Sequence, residues 1–102
     1  MKVDSDTILE LVNKLRSYIQ RKISDQELNY WVCEHMNATE EDIEAGEQSH
    51  LLNHIFWSVR HLIDPEQFRT KDEEIEYLLD CLEGRKQFTK EEVGSIYRKK
   101  NQ

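Results

Sequence analysis

Short polar signatures divide the chain, and each is a signal for the start of an α-helix. A Ser or Thr precedes Glu or Asp by three positions at Ser24…Glu27, Thr39…Asp42, Thr70…Glu73 and Thr89…Glu92. In such a pair the hydroxyl accepts a hydrogen bond from the amide three residues on, and the acid accepts one from the first amide. Because helix N-termini leave these amides unpaired, the signatures predict an α-helical chain.

Apolar residues recur every three or four positions, the period of an amphipathic helix. The pattern predicts helices over residues 5–22, 25–36, 40–63, 71–83 and 90–99, with a bend in the third near Gly46. Asp64-Pro65 stops the third helix, and Gly84 suits the residue after the fourth. Tyr30 and Trp31 lie beside the apolar row of the second helix, so we expect both in the core.

The composition favours the same fold class. Three Gly and one Pro are too few for a turn-rich β-sandwich, and no segment alternates apolar and polar residues as a strand does. The short connections favour antiparallel neighbours. We therefore expect an all-α fold, a four- to five-helix bundle that is mostly antiparallel, with residues 1–102 forming a single domain.

Targeting signals and reactive thiols are not evident in the sequence. No apolar run approaches the roughly 18 residues of a membrane span, and the first residues lack the apolar stretch of a secretory signal. We expect no membrane association and a cytoplasmic location. Cys33 and Cys81 are not in a CxxC spacing, so we expect two free thiols.

Charge is segregated along the chain. The formal net charge is −7, yet residues 25–83 hold sixteen acidic residues against three basic ones, a balance of −13. The segments on either side, residues 1–24 and 84–102, come to +2 and +4. An acidic middle repels nucleic acid and anionic membranes and attracts cationic proteins. The expected partner is therefore a basic protein, with no direct nucleic-acid binding.

The acidic residues form clusters that are candidates for the contact with this partner. Acidic residues are also common at helix N-termini and keep proteins soluble. These roles explain the acids in the first turns of helices but not the net charge of −13 over residues 25–83. Trp57 lies opposite the apolar stripe of its helix, where it either packs beneath another helix or anchors an interface. The candidate partner-binding residues are Glu40, Glu41, Asp42, Glu44, Glu47, Trp57, Asp72, Glu73, Glu76 and Asp80.

Histidines share a ridge with Trp57. At about 100° per residue, His50, His54 and His61 fall on one side of the third predicted helix. Glu47, His50 and His54 have a spacing that could hold Zn²⁺ from one helix. However, the glutamate of an HExxH site and the second Glu-x-x-His of a di-iron bundle are both missing. A solvated or partner-covered face is the favoured reading, and no cofactor is expected.

Catalytic signatures are absent from the sequence. It has no Gly-rich phosphate loop, no GxSxG elbow and no dinucleotide fingerprint. Pairs of carboxylates are frequent only because acids are frequent. We therefore expect a protein that is not an enzyme and that acts by binding.

The order of segments resembles that of a known family. Over residues 8–83, an amphipathic first helix is followed by Ile23-Ser24-Asp25-Gln26-Glu27-Leu28, then His61-Leu62-Ile63-Asp64-Pro65-Glu66 and Asp72-Glu73-Glu74-Ile75. This layout resembles the small helical immunity proteins of the colicin D type. The resemblance implies an inhibitor whose acidic helical surface covers the basic substrate site of a tRNA-cutting toxin. The alternative is a structural or regulatory helical protein acting as a homo-oligomer or complex subunit.

Overall fold

Helices make up most of the chain that the computed structural model describes, which comprises residues 3–36, 43–44 and 46–100, with side chains through Ile96. The described residues form an all-α bundle, as predicted. None of these helices has both the length and the apolar character needed to cross a bilayer. The helices are α1 (Ser5–Ile19), α2 (Asp25–His35), α3 (Ser49–Arg60), α4 (Asp72–Leu82) and α5 (Lys90–Lys100).

Side chains cap three of the helix starts in the described part of the chain, and the predicted signature Thr39…Asp42 lies outside it. Ser24 and Glu27 form the predicted capping box at the start of α2, with each side chain bonded to the other residue's amide. Thr89 Oγ1 accepts a hydrogen bond from the amide of Glu92 at 3.2 Å. At α1 the cap is Asp4, whose carboxylate accepts from the amide of Thr7 at 2.8 Å. Local capping chemistry therefore positions these helices.

The predicted cap at Thr70 is wrong. The N-cap residue of α4 is Lys71, and it makes no side-chain capping bond. Thr70 is buried instead, and its hydroxyl donates to the backbone oxygen of Ser58 at 2.6 Å. The hydroxyl joins the end of α3 to the segment before α4, a tertiary bond that competes with capping.

The predicted start of the third helix is also wrong within the described residues. Gly46 lies at φ +59°, a left-handed conformation that interrupts a helix, and a 3-10 turn over Gly46–Gln48 leads into α3 at Ser49. Ile43 lies before this turn, and the Asn53 side chain of α3 bonds both of its backbone groups. Asn53 accepts from the N–H of Ile43 at 2.8 Å and donates to its C=O at 3.0 Å. The amide side chain thus holds Ile43 outside the helix.

The first helix ends before the predicted boundary at residue 22. Arg21 adopts φ 63°, and the amide of Lys22 donates to the carbonyl of Ser17 at 2.8 Å. This is the bond pattern of a left-handed helix terminus. Gly84, at φ +81°, occupies the corresponding position after α4, as predicted.

The core lies between the first four helices. α1 packs against α2 and α4, and α3 packs against the same two helices, whereas α5 packs against α4 alone among the described elements. Trp31 is buried as expected, but Tyr30 is 68% exposed, so its predicted place in the core is wrong. The fully buried side chains include Leu11, Leu15, Leu28, Val32, Leu52, Ile55, Leu62, Ile75 and Leu78.

Candidate protein-interaction surface

A groove between α4 and α5 brings acidic side chains from both helices together. We call it the acidic groove. Its volume is about 280 Å³, and residues from the two helices and from the segment that joins them line it. Positions 73, 76 and 80 are three and four residues apart, so α4 presents them on one face. The charged lining residues are Glu73, Glu76, Asp80, Lys86 and Glu92.

The carboxylates of the acidic groove differ in their partners. Asp80 is bonded to Arg85 Nη2 at 2.9 Å and lies 3.6 Å from Lys86 Nζ. Glu76 and Glu92 are exposed, and neither forms an ion pair with the basic side chains that the structure describes. Among the side chains that the structure describes, the groove is thus lined by four carboxylates and one lysine, and Asp80 is already paired with Arg85. The remaining carboxylates are complementary to a cationic side chain.

Glu92 was not among the predicted contact residues. In the sequence, Glu92 is recognisable only as the acid of a capping signature. Such a signature predicts where a helix starts but not which helix it packs against. Its place opposite Glu73 and Glu76 depends on the packing of α5 against α4. No signal within the local sequence specifies that packing.

Asp72 faces away from the acidic groove and is engaged within the bundle. Its carboxylate accepts hydrogen bonds from the hydroxyl of Tyr18 and from Arg21 Nη2 at 3.2 Å, and it lies 3.6 Å from Arg69 Nη2. Burial, followed by the hydrogen bond to Asp72, raises the pKa of Tyr18 to about 12. This cluster ties α1 to α4 and leaves Asp72 only a third exposed.

Basic residues from both ends of the sequence pair with the acidic middle. Arg16 of α1 lies 2.8 Å from Glu83, and Arg85 lies 2.9 Å from the other oxygen of the same carboxylate. Together with the Arg21 pair at Asp72, these contacts offset part of the charge segregation seen along the chain. The acids that keep an unopposed charge are therefore fewer than the sequence alone indicates.

The first predicted acidic cluster is only partly visible. Glu40, Glu41 and Asp42 lie outside the described residues. Glu44 and Glu47 are exposed, and the backbone oxygen of Glu44 accepts from the amide of Val3 at 3.3 Å. Neither Glu44 nor Glu47 lines the acidic groove, so the described residues do not bring the two clusters together.

Trp57 is half-exposed, and its role as an interface anchor stays a prediction. Its side chain is 46% exposed, and the guanidinium of Arg60 lies over its ring, 5.4 Å from the centroid. His61 is exposed as well and bonds Asp64 at 2.6 Å. Trp and Arg are enriched among the residues that dominate binding at protein interfaces.

The possible zinc ligands do not converge. Glu47 and His50 are exposed, whereas His54 turns toward α4, where its Nε2 lies 3.9 Å from Glu74 Oε2. Within the described part of the chain, no group of three or more His, Cys, Asp or Glu side chains could hold a metal ion.

Both cysteines are free, as predicted. Cys33 is half-buried, and its thiol lies 3.7 Å from the side-chain oxygen of Asn29. Cys81 is buried, and burial raises the pKa of its thiol. A raised pKa lowers the fraction of nucleophilic thiolate at neutral pH.

Comparison of the chain with protein-family models, curated proteins and solved structures finds no significant match.

Proposed function

We propose that this chain is a non-catalytic interaction protein that binds a basic protein partner through the acidic groove between α4 and α5. The supporting observation is the grouping of Glu73, Glu76, Asp80 and Glu92 around one concave site, where Lys86 is the one lysine among the described lining residues. A groove of this size accommodates one lysine or arginine side chain of a partner. Carboxylates on a fixed helical face also accelerate association with a cationic surface.

The most specific form of this proposal is an immunity-type or antitoxin-type inhibitor. Toxin and nuclease domains that cut nucleic acid carry a basic substrate site, because phosphates are bound largely by Lys and Arg. An acidic helical surface can cover such a site and exclude the substrate. The resemblance of the segment order to colicin D type immunity proteins supports this form.

The test begins with the gene next to this one. If it encodes a protein ending in a basic domain, that domain is the probe, and its affinity for this chain is measured between low and physiological salt. We expect tight binding that weakens as salt rises, because salt screens the charges of the groove. Affinity that does not change with salt would contradict the proposal.

Matched charge variants separate the groove from net charge. Glu76→Gln with Glu92→Gln removes two charges from the groove, whereas Glu10→Gln with Glu66→Gln removes two from exposed positions elsewhere. Both double variants therefore have the same net charge. We expect slower association only for the groove variant. Equal effects in the two variants would show that net charge alone drives binding.

A second candidate role is that of a structural or regulatory subunit that assembles with itself or within a complex. The observation that favours it is the 46% exposure of Trp57 on α3. Large aromatic side chains of this kind commonly become buried on assembly. This role needs no basic partner, so it is independent of the acidic groove.

A further inference from the structure

Glu74 is a buried acid that the proposed function does not use. It is 1% exposed, and no hydrogen-bond donor among the described residues reaches either carboxylate oxygen. The nearest polar group is Nε2 of His54 on α3, at 3.9 Å. This nitrogen atom is also buried and without a hydrogen-bond partner, although the His54 side chain as a whole is 31% exposed. Buried polar groups rarely lack a hydrogen-bond partner. Leaving one unpaired costs more free energy than a typical hydrogen bond contributes to stability.

Phe88 covers the His54 side of this pair. Its ring packs on the imidazole of His54, with centroids 5.3 Å apart and planes tilted by 53°. Tyr77 of α4 fixes the backbone on both sides of Phe88, since its hydroxyl donates to the carbonyl of Gln87 at 2.7 Å and accepts from the amide of Thr89 at 2.9 Å. The cover is therefore continuous with the start of α5.

The charged groups that face His54 have opposite effects on its protonation. Glu74 on α4 favours a charge on the imidazole, whereas Lys90 at the start of α5 disfavours it. On its own helix, His50 lies one turn earlier and is exposed. Burial is the largest influence, and it lowers the pKa of His54 below its ordinary value of 6.5. The fold therefore favours the neutral imidazole.

We propose that Phe88 and α5 form an acid-released cover over the His54–Glu74 pair. When His54 is protonated on both ring nitrogens, its buried Nε2–H needs water or a carboxylate oxygen nearer than that of Glu74, which lies 3.9 Å away and is too far for a hydrogen bond. Phe88 keeps water from this nitrogen, and Lys90 disfavours the added charge. Lifting Phe88 hydrates the charge at the smallest structural cost, because α5 packs against α4 alone among the described elements. Protonation thus detaches α5 while the other helices stay packed.

The sign of the effect follows from linkage. A histidine whose pKa is lowered in the closed state stabilises that state fully above 6.5 and loses this contribution as the pH falls toward its lowered pKa. Opening of α5 should therefore increase below about pH 6.5. Each pH unit in this window favours the open state by up to about tenfold.

Amide hydrogen exchange of the full chain tests the proposal. Protection of the α5 amides is compared at pH 7.5 and 5.5, each relative to the intrinsic exchange rate at that pH. We expect protection in α5 to fall by up to about tenfold at the lower pH, with protection in α1 to α4 retained. Equal protection of α5 at both values would overturn the proposal.

Variants identify the titrating group. His54→Gln cannot be charged in this range, so α5 should keep its protection at both pH values. His61→Gln, a change at an exposed histidine, should respond like the unmodified chain. Glu74→Gln removes the charge that favours the imidazolium, and we expect a larger loss of protection at low pH. If Glu74→Gln abolished the response, or His54→Gln kept it, His54 would not be the switch.

Discussion

At the scale of single residues, the same sequence signature has different physical meanings at different positions. Ser24 and Thr70 both precede an acid by three residues. Ser24 is exposed and caps α2, whereas Thr70 is 1% exposed and donates its hydroxyl to the carbonyl of Ser58. Burial decides between the two, because a buried hydroxyl satisfies whichever backbone group the packing presents to it.

Replacing Thr70 by Val tests this assignment. Valine keeps the shape of threonine but removes the donor, so the carbonyl of Ser58 loses its bond in a buried site. We expect the free energy of unfolding to fall by about 1–3 kcal/mol, as measured by chemical denaturation monitored by circular dichroism. The cap variant Ser24→Ala should cost about 1 kcal/mol. A loss at Thr70→Val of only a few tenths of a kcal/mol would contradict the structural role.

At the scale of elements, local chemistry explains which boundaries the sequence predicts. The starts of α2 and α5 depend on Ser24 and Thr89, whose capping bonds lie within a few residues. The start of α3 depends on the bonds from Asn53 to Ile43, ten positions earlier. Periodicity carries no information about such a bond, so the pattern predicted a helix through that segment.

In the candidate surface, too, some features follow from the local sequence and others only from the packing of helices. The face of α4 that bears Glu73, Glu76 and Asp80 follows from helical spacing alone. The position of Glu92 across the groove, and the engagement of Asp72 by Tyr18, follow only from how helices pack. The sequence therefore predicted acids on one side of the site but neither their counterpart on α5 nor which acid is neutralised internally.

The attachment of α5 can be tested through Tyr77. Tyr77→Phe removes both hydrogen bonds that flank Phe88, so α5 should open more often at every pH. We expect its amides to lose about 1–2 kcal/mol of local stability by hydrogen exchange, with α1 and α2 unaffected. Tyr30→Phe removes an exposed hydroxyl and is the matched control. Loss of protection throughout the bundle would contradict a local role for Tyr77.

At the scale of the whole molecule, charge and apolar exposure indicate different kinds of partner. Folding brings Arg16 and Arg21 of the basic N-terminal segment against Glu83 and Asp72. This contact reduces the long-range field of the acidic middle. In our proposal, the exposed carboxylates of the acidic groove are where a basic partner binds. Trp57, in contrast, exposes a large apolar side chain that a partner without basic residues could also cover.

Self-association through Trp57 is a separate prediction. If two copies bury this side chain, light scattering at micromolar concentration should give a mass above that of one chain. Trp57→Ala should then raise the dissociation constant about thirtyfold or more, because an aromatic anchor contributes about 2 kcal/mol or more. Tyr30→Ala, at another exposed aromatic, should leave the mass unchanged. A single-chain mass at all concentrations would exclude self-association and leave Trp57 available for a different protein.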